Sequence, residues 1–168
     1  MIEAIIEAIK NGNKILICGN GGLAAESEHF AAEMMGKFAF DVYIPCIALT
    51  TNSSLTTAIS NDIGFDEVFA HQVKGLGQKG DILIGMTTSV SENIIKALRV
   101  GKELGLYTIC FCGYGCEPQE RVSCYTVRAE DKTDTQTIQE CILKSLHELA
   151  YKIKEGLNEY KKGDKNII

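Results

Sequence analysis

The sequence has no apolar run that approaches the roughly 18 residues of a membrane-spanning helix. It also does not begin with a basic region followed by an apolar block, because the acids Glu3 and Glu7 stand within an amphipathic pattern at the start. These absences argue against a membrane span and against a secretory signal. They predict a protein of the cytoplasm with no membrane partner.

A basic excess is also missing. The 168-residue chain carries 17 lysines and arginines against 22 aspartates and glutamates, which gives a formal net charge of −5 at pH 7. Proteins that bind duplex nucleic acid usually present a broad positive face. The charge balance therefore predicts that nucleic acid is not a partner.

The seven cysteines lack the paired close spacing of zinc ribbons. Four of them, Cys110, Cys112, Cys116 and Cys124, cluster in the sequence. Most of the seven stand inside apolar, strand-like stretches, where a thiol behaves as a small hydrophobic side chain. We expect core thiols in a reducing compartment rather than a metal cluster.

Helical and strand-like patterns alternate along the chain. The predicted strands are 14–18, 44–49, 81–86, 107–111 and 124–127, and the predicted helices are 2–10, 24–38, 55–60, 65–75, 91–104 and 133 to about 157. Near-continuous apolar strands separated by helices are typical of a parallel sheet covered on both faces. We predict a three-layer α/β sandwich in one domain over residues 1–160, followed by a polar tail over 161–168.

A glycine-rich turn, Gly19-Asn20-Gly21-Gly22, joins the first predicted strand to the next helix. Free N–H groups at a helix start bind anions, and glycines allow a close approach. The turn has neither the lysine of a P-loop nor a complete GxGxxG motif, and no acidic residue ends the second strand. It therefore favours a phosphate that does not belong to a nucleotide.

The helix after this turn carries His29 and Glu33 four residues apart, hence on one face. An imidazole and a carboxylate near a phosphate seat suit proton transfer. On the sequence alone, an exposed i,i+4 pair without any function explains the two residues as well.

A second turn, rich in hydroxyl groups, follows the third predicted strand and opens a helix. Its hydroxyl side chains are Thr87, Thr88, Ser89 and Ser91. The turn stands at the carboxyl end of a parallel strand, where ligands gather in such sheets, so it can grip a phosphate monoester. Serine and threonine are also the preferred helix caps, and capping alone remains an alternative.

Several strings in order along nearly the whole chain resemble the phosphoheptose isomerases of the sugar-isomerase (SIS) superfamily. They are GNGGLAAESEHFAAE from Gly19, ALTT from Ala48, AISNDIGF from Ala58, GDILIGMTTS from Gly80, and TQTIQE from Thr135 with His147. The resemblance implies an SIS domain whose five-stranded parallel sheet winds as in flavodoxin. It implies conversion of sedoheptulose 7-phosphate to D-glycero-D-manno-heptopyranose 7-phosphate, and a homotetramer with active sites at subunit interfaces.

Ketose–aldose interconversion needs a base that moves a proton from C1 to C2, an acid that serves the enediol oxygens, and an anchor for the phosphate. Glu33 is the candidate base and His147 the candidate acid, and the resemblance implies the same two roles. Alternatively, His147 is a boundary residue of a long helix. The four hydroxyls of the second turn would hold the phosphate. The other candidate substrate-binding residues are Asn20, Gly21, Gly22, Thr51, Asp62 and Gln139, of which Asp62 has a simple turn as its alternative.

The resemblance also implies a zinc site, since some of these enzymes carry zinc at the positions of His29, Glu33, Gln139 and His147. Imidazole and oxygen ligands suit zinc. Gln139 and His147 are eight residues apart, about 12 Å along a helix, so they would reach such a site from two sides. No nucleotide cofactor is expected.

The chain departs from the family pattern at both turns. Leu23 stands where a serine is usual, which removes a hydroxyl and is expected to add bulk to the glycine turn. The second turn is one residue shorter than usual and has Val90 where glycine is expected. These departures leave a related sugar phosphate, reduced activity or an altered assembly open. An SIS protein without catalysis, either a sugar-phosphate sensor or a protein that binds a replication initiator, is the alternative function. The presence of both Glu33 and His147 favours the enzyme.

Overall fold

The computed structural model describes residues 1–129 and 134–163. Five parallel strands form one sheet in the order β2-β1-β3-β4-β5. The strands are β1 (Ile15–Cys18), β2 (Cys46–Ala48), β3 (Ile82–Thr87), β4 (Tyr107–Cys112) and β5 (Tyr125–Arg128). This order is the flavodoxin-like winding, so the predicted fold class is confirmed.

Seven α-helices cover the sheet within the described ranges. They are α1 (Ile2–Lys10), α2 (Gly22–Met35), α3 (Ser53–Asp62), α4 (Val68–Leu76), α5 (Glu92–Glu103), α6 (Glu117–Val122) and α7 (Thr135–Gly163), and a 3-10 helix (Phe65–Glu67) precedes α4. No helix in these ranges has both the length and the apolar character that a membrane crossing requires.

The two faces of the sheet support separate cores because successive strand residues point to opposite sides. Ile15 and Ile17 of β1 pack with α1, α2 and α7, whereas Leu16 and Cys18 pack with α3, α4 and α5. All seven cysteines are free and five of them are buried, as expected for core thiols. The result is the predicted three-layer sandwich.

Helices α2, α6 and α7 differ from the sequence-based expectation. Helix α2 ends at Met35, because Gly36 turns the chain into an extended conformation. Helix α6 is not predicted at all, since its six residues are too few to display a helical period.

Helix α7 runs past the expected end near residue 157, because α1 lies against it. A Cβ added at Gly156 would lie 2.6 Å from Ile6 Cδ1, and the Lys10 ammonium sits 4.0 Å from the Tyr160 ring centroid. Residues 161–163 of the predicted tail therefore continue α7. Residues 164–168 and Thr133, the predicted start of the helix, lie outside the described residues.

Candidate active site

Two histidines meet one carboxylate between α2 and α7. Glu33 Oε1 lies 3.2 Å from His29 Nε2 and 3.3 Å from His147 Nε2. The two imidazole nitrogens are themselves 3.3 Å apart, and the rings meet edge to face. His147 therefore reaches Glu33 from its own chain, and the three residues predicted to carry catalysis and metal binding form one group, here called the His/Glu group.

The His/Glu group exists because α2 and α7 lie side by side and run in the same direction. Gln139 lies over Gly22 at the start of α2, His147 meets Glu33 three turns later, and Lys154 Nζ donates to the Gly36 carbonyl at its end, 2.7 Å away. Lys154 is fully buried, and burial lowers the pKa of its ammonium group. Its charge also complements the negative end of the α2 dipole.

The two imidazoles of the His/Glu group are exposed to solvent, whereas its carboxylate is mostly buried. The side chains of His29 and His147 are 49% and 42% exposed, whereas that of Glu33 is 11% exposed. A cavity of about 530 Å³ is lined by His29 and Glu33 together with Glu28, Lys37 and Phe38. A small ligand entering this cavity meets the Glu33 carboxylate and the His29 imidazole.

Glu26 is a further acid near the group that the sequence interpretation missed. Burial raises the pKa of its carboxyl to about 7, and His29 opposes that rise. Its Oε2 is buried without a hydrogen-bond partner among the described residues. A helical spacing of three and seven residues to His29 and Glu33 was the signal available in the sequence.

Thr87 organises the hydroxyl-rich turn after β3. Its hydroxyl donates to the Ser89 carbonyl, so its oxygen accepts from the Ser91 hydroxyl at 2.9 Å and from the Ser89 N–H at 3.3 Å. Ser91 consequently makes no side-chain cap for α5. The first turn of α5 therefore keeps its N–H groups free of a side-chain cap, whereas capping alone would have occupied them.

Thr88 and Ser89 make no side-chain hydrogen bond to the described residues, and both are at least partly exposed. Of the four predicted phosphate-binding hydroxyls, these two are free to donate to a ligand. Those of Thr87 and Ser91 shape the turn instead.

The glycine turn after β1 is held by a reciprocal amide pair. Asn20 Nδ2 donates to Asn93 Oδ1 at 3.0 Å, and Asn93 Nδ2 donates back to Asn20 Oδ1 at 2.8 Å. The pair connects this turn to the first turn of α5. Gly21 has a φ of 57°, which favours glycine, and α2 starts after it without a side-chain cap.

The expectation that Leu23 crowds the glycine turn is wrong. Its side chain is only 2% exposed and belongs to the core that α2 and α7 share with the sheet. An apolar side chain at the first turn of α2 is stabilised by that burial, so the substitution removes a hydroxyl without filling the turn.

Three other predicted site residues lie away from the His/Glu group. Gln139 contacts Gly22, which is seven residues and about 10 Å along α2 from His29. Thr51 donates to the Ala48 carbonyl after β2, and the exposed Asp62 accepts from its neighbour Asn61. The structure thus brings together three of the four predicted zinc ligands, His29, Glu33 and His147.

Comparison with known proteins identifies the family of the chain. The family model "SIS domain" matches residues 1–113. A phosphoheptose isomerase from Synechocystis is 43% identical over 162 residues, which cover 93% of this chain and 83% of that protein. The chain belongs to the phosphoheptose isomerase family.

Two solved structures of the family agree with the fold. A phosphoheptose isomerase from Neisseria gonorrhoeae superimposes with a TM-score of 0.83 at 36% identity, and one from Francisella tularensis with 0.83 at 32% identity. Each alignment covers 92% of this chain and 83% of the other.

We predict that Glu26→Gln changes the pH dependence of stability. The folded-state pKa of about 7 lies above the ordinary 4.5, so the stability that Glu26 contributes at low pH is lost as pH rises through 7. Glutamine cannot ionise. Its variant should exceed the wild type in unfolding free energy by on the order of 1 kcal/mol at about pH 8, after solvent screening, and this excess should vanish toward pH 4.5.

Urea denaturation at several pH values measures this difference. Glu28→Gln, which removes an exposed carboxylate from the same helix, is the matched control. A Glu26→Gln excess that does not change with pH would contradict the prediction.

Proposed function

We propose that the chain isomerises sedoheptulose 7-phosphate to D-glycero-D-manno-heptopyranose 7-phosphate. The observation that carries this proposal is the single Glu33 carboxylate between two imidazoles, in a family fold that also carries the hydroxyl-rich turn after β3. Residues 1–160 would act as one SIS domain. The free thiols support a reducing compartment such as the cytoplasm.

In the proposed reaction, Glu33 removes a proton from C1 of the open-chain ketose while His147 donates a proton to the C2 oxygen. The result is a neutral enediol with a C1–C2 double bond. Glu33 then returns the proton to C2, and the O1 proton leaves to the imidazole as C1 becomes the aldehyde carbonyl. Imidazole suits both directions because its ring nitrogens can donate or accept a proton.

The substrate would be anchored at its phosphate by Thr88, Ser89 and the N–H groups of the turn before α5, with Thr87 and Ser91 holding the turn. The sugar hydroxyls would meet Asn20, Thr51, Asp62 and Gln139. The backbone N–H groups of Gly21 and Gly22 would complete the substrate-binding site.

We predict that Glu33→Gln and His147→Ala each lower kcat for sedoheptulose 7-phosphate by about 10²- to 10⁴-fold, because each removes a group that moves a proton in the reaction. Proton NMR of the aldose product measures the rate. His71→Ala is the matched control, since His71 is the third of the chain's three histidines and belongs to α4 on the opposite face. Turnover that survives both substitutions would refute the assigned roles.

We also propose that the His/Glu group holds zinc, with Glu33 exchanging its ligand and base roles during turnover, because a carboxylate committed to a cation is a weaker base. The ligand atoms of His29, Glu33 and His147 lie within 4.8 Å of one another, and Glu33 Oε2 is buried without a described partner, so the residues fit a borderline cation. Zinc would polarise the substrate oxygens as a Lewis acid. Gln139 would join only after its side chain leaves Gly22.

Zinc binding predicts about one metal per chain in protein purified without chelator, and about a tenfold or larger drop in retained zinc for His29→Ala, because one of three ligands is lost. Elemental analysis after dialysis measures the content independently of activity. The zinc retained by Gln139→Ala tests the fourth predicted ligand separately from the other three. Wild-type protein that retains no zinc when supplied with it would contradict the proposal.

We further propose a homotetramer in which two chains complete each active site. Gly22 and Glu33 are separated by eleven residues, about 16 Å along α2, which is long for one seven-carbon sugar phosphate to span. The cavity lined by His29 and Glu33 leaves room for the turn of a second copy.

Mixing two inactive variants tests this shared site. Glu33→Gln lacks the base and Ser89→Asp repels the phosphate. In mixed tetramers, sites that combine the intact turn of one chain with the intact Glu33 of another should restore about a quarter of the wild-type activity. Mixed tetramers that stay as inactive as the separate variants would contradict a site shared between chains.

A further inference from the structure

Gln119 is a buried residue whose side-chain amide contacts the hydroxyl-rich turn after β3 from the protein interior. This turn, residues 87–91, is called the phosphate turn below. Gln119 belongs to α6, is fully buried, and its Nε2 donates to the Ser89 carbonyl at 3.3 Å. The Thr87 hydroxyl donates to the same carbonyl. Two donors from inside the protein therefore fix the direction in which the Ser89 carbonyl points.

The direction of this carbonyl determines the direction of the next N–H. The peptide bonds of the described chain are all trans, and in a trans peptide the C=O and the N–H point in opposite directions. Because the Ser89 carbonyl points inward to Gln119 and Thr87, the N–H of Val90 points outward. Val90 is 55% exposed, and its N–H has no partner in residues 1–129 and 134–163. It is a free donor beside the hydroxyls of Thr88 and Ser89.

A second contact restricts the same turn. A Cβ added at Gly113 would lie 2.6 Å from the Thr88 carbonyl oxygen, so the chain after β4 lies directly against the preceding peptide. Two consecutive carbonyl groups of the turn are thus contacted from the protein interior, that of Thr88 by the chain after β4 and that of Ser89 by α6.

The side-chain carbonyl of Gln119 accepts no hydrogen bond from the described residues, although its Oε1 is buried. A methionine would fill a similar volume without an unsatisfied oxygen. The amide therefore brings no evident advantage to the core, and its visible contribution is the bond to Ser89.

We propose that Gln119 is a positioning residue for phosphate binding. It holds the Ser89 carbonyl inward so that the Val90 N–H faces a phosphate monoester, which lets the shortened turn bind an anion where the family pattern has a glycine. This inference rests on the proposed function of the turn. It does not depend on Glu33 or on a metal.

The test is Gln119→Met, measured by steady-state kinetics with sedoheptulose 7-phosphate and by inhibition with inorganic phosphate. Loss of one hydrogen bond to the turn should raise both KM and the phosphate inhibition constant about fivefold, while kcat stays within about twofold. The melting temperature should stay unchanged or rise. Phosphate affinity would then fall without any loss of stability. If the glutamine were only structural, its replacement would not weaken phosphate binding in a protein of unchanged stability.

Gln72→Met is the matched control. Gln72 is also buried, and its Nε2 donates to the Leu49 and Val68 carbonyls, away from the phosphate turn. Its loss should lower the melting temperature and leave the phosphate inhibition constant unchanged.

Val90→Pro is a second variant, which removes the N–H itself and leaves Gln119 in place. It should raise KM and the inhibition constant at least as much as Gln119→Met does. If either variant binds phosphate as the wild type does, the inference is overturned.

Calorimetric titration with inorganic phosphate separates this inference from the isomerase proposal. If the wild type shows no turnover but binds phosphate more tightly than Gln119→Met, the isomerase proposal fails and the role of Gln119 stands. If turnover is present and both variants bind phosphate as the wild type does, the isomerase proposal stands and the role of Gln119 fails.

Discussion

The parallel contact between α2 and α7 is the constraint on which the candidate site depends. Glu33 and His147 are separated by more than a hundred residues, and only this contact brings their side chains together. Three polar or close contacts along its length fix the register, with Gln139 over Gly22 at one end and Lys154 on the Gly36 carbonyl at the other. A shift of one helical turn would separate the carboxylate from its second imidazole.

The proposed phosphate-binding half of the site is built differently, from two turns held by polar side chains. Thr87 and Gln119 donate to the Ser89 carbonyl, and the Asn20–Asn93 pair links the two turns. The Val90 N–H and the hydroxyls of Thr88 and Ser89 are thereby left without a partner among the described residues. Preorganised donors of this kind cost little reorganisation when an anion arrives.

Periodicity and apolar strands were enough to predict the parallel sheet and most helices, and the family resemblance implied its winding. The motif around Gly19–Glu33 placed His29 and Glu33 on one face, and the family resemblance added His147. Features that depend on tertiary contacts were not predictable. Leu23 turns into the core, Ser91 bonds Thr87 instead of capping α5, and Gln119 lies on a helix too short to show a period. The raised pKa of Glu26 likewise follows from burial.

A crystal structure with bound sedoheptulose 7-phosphate tests the central claim most directly. The account predicts the phosphate on the turn between Thr87 and Ser91, with C1 or C2 of the sugar within hydrogen-bonding reach of a Glu33 carboxylate that is flanked by His29 and His147. A bound ester that lies far from every Glu33 of the assembly, with that carboxylate facing solvent, would contradict it.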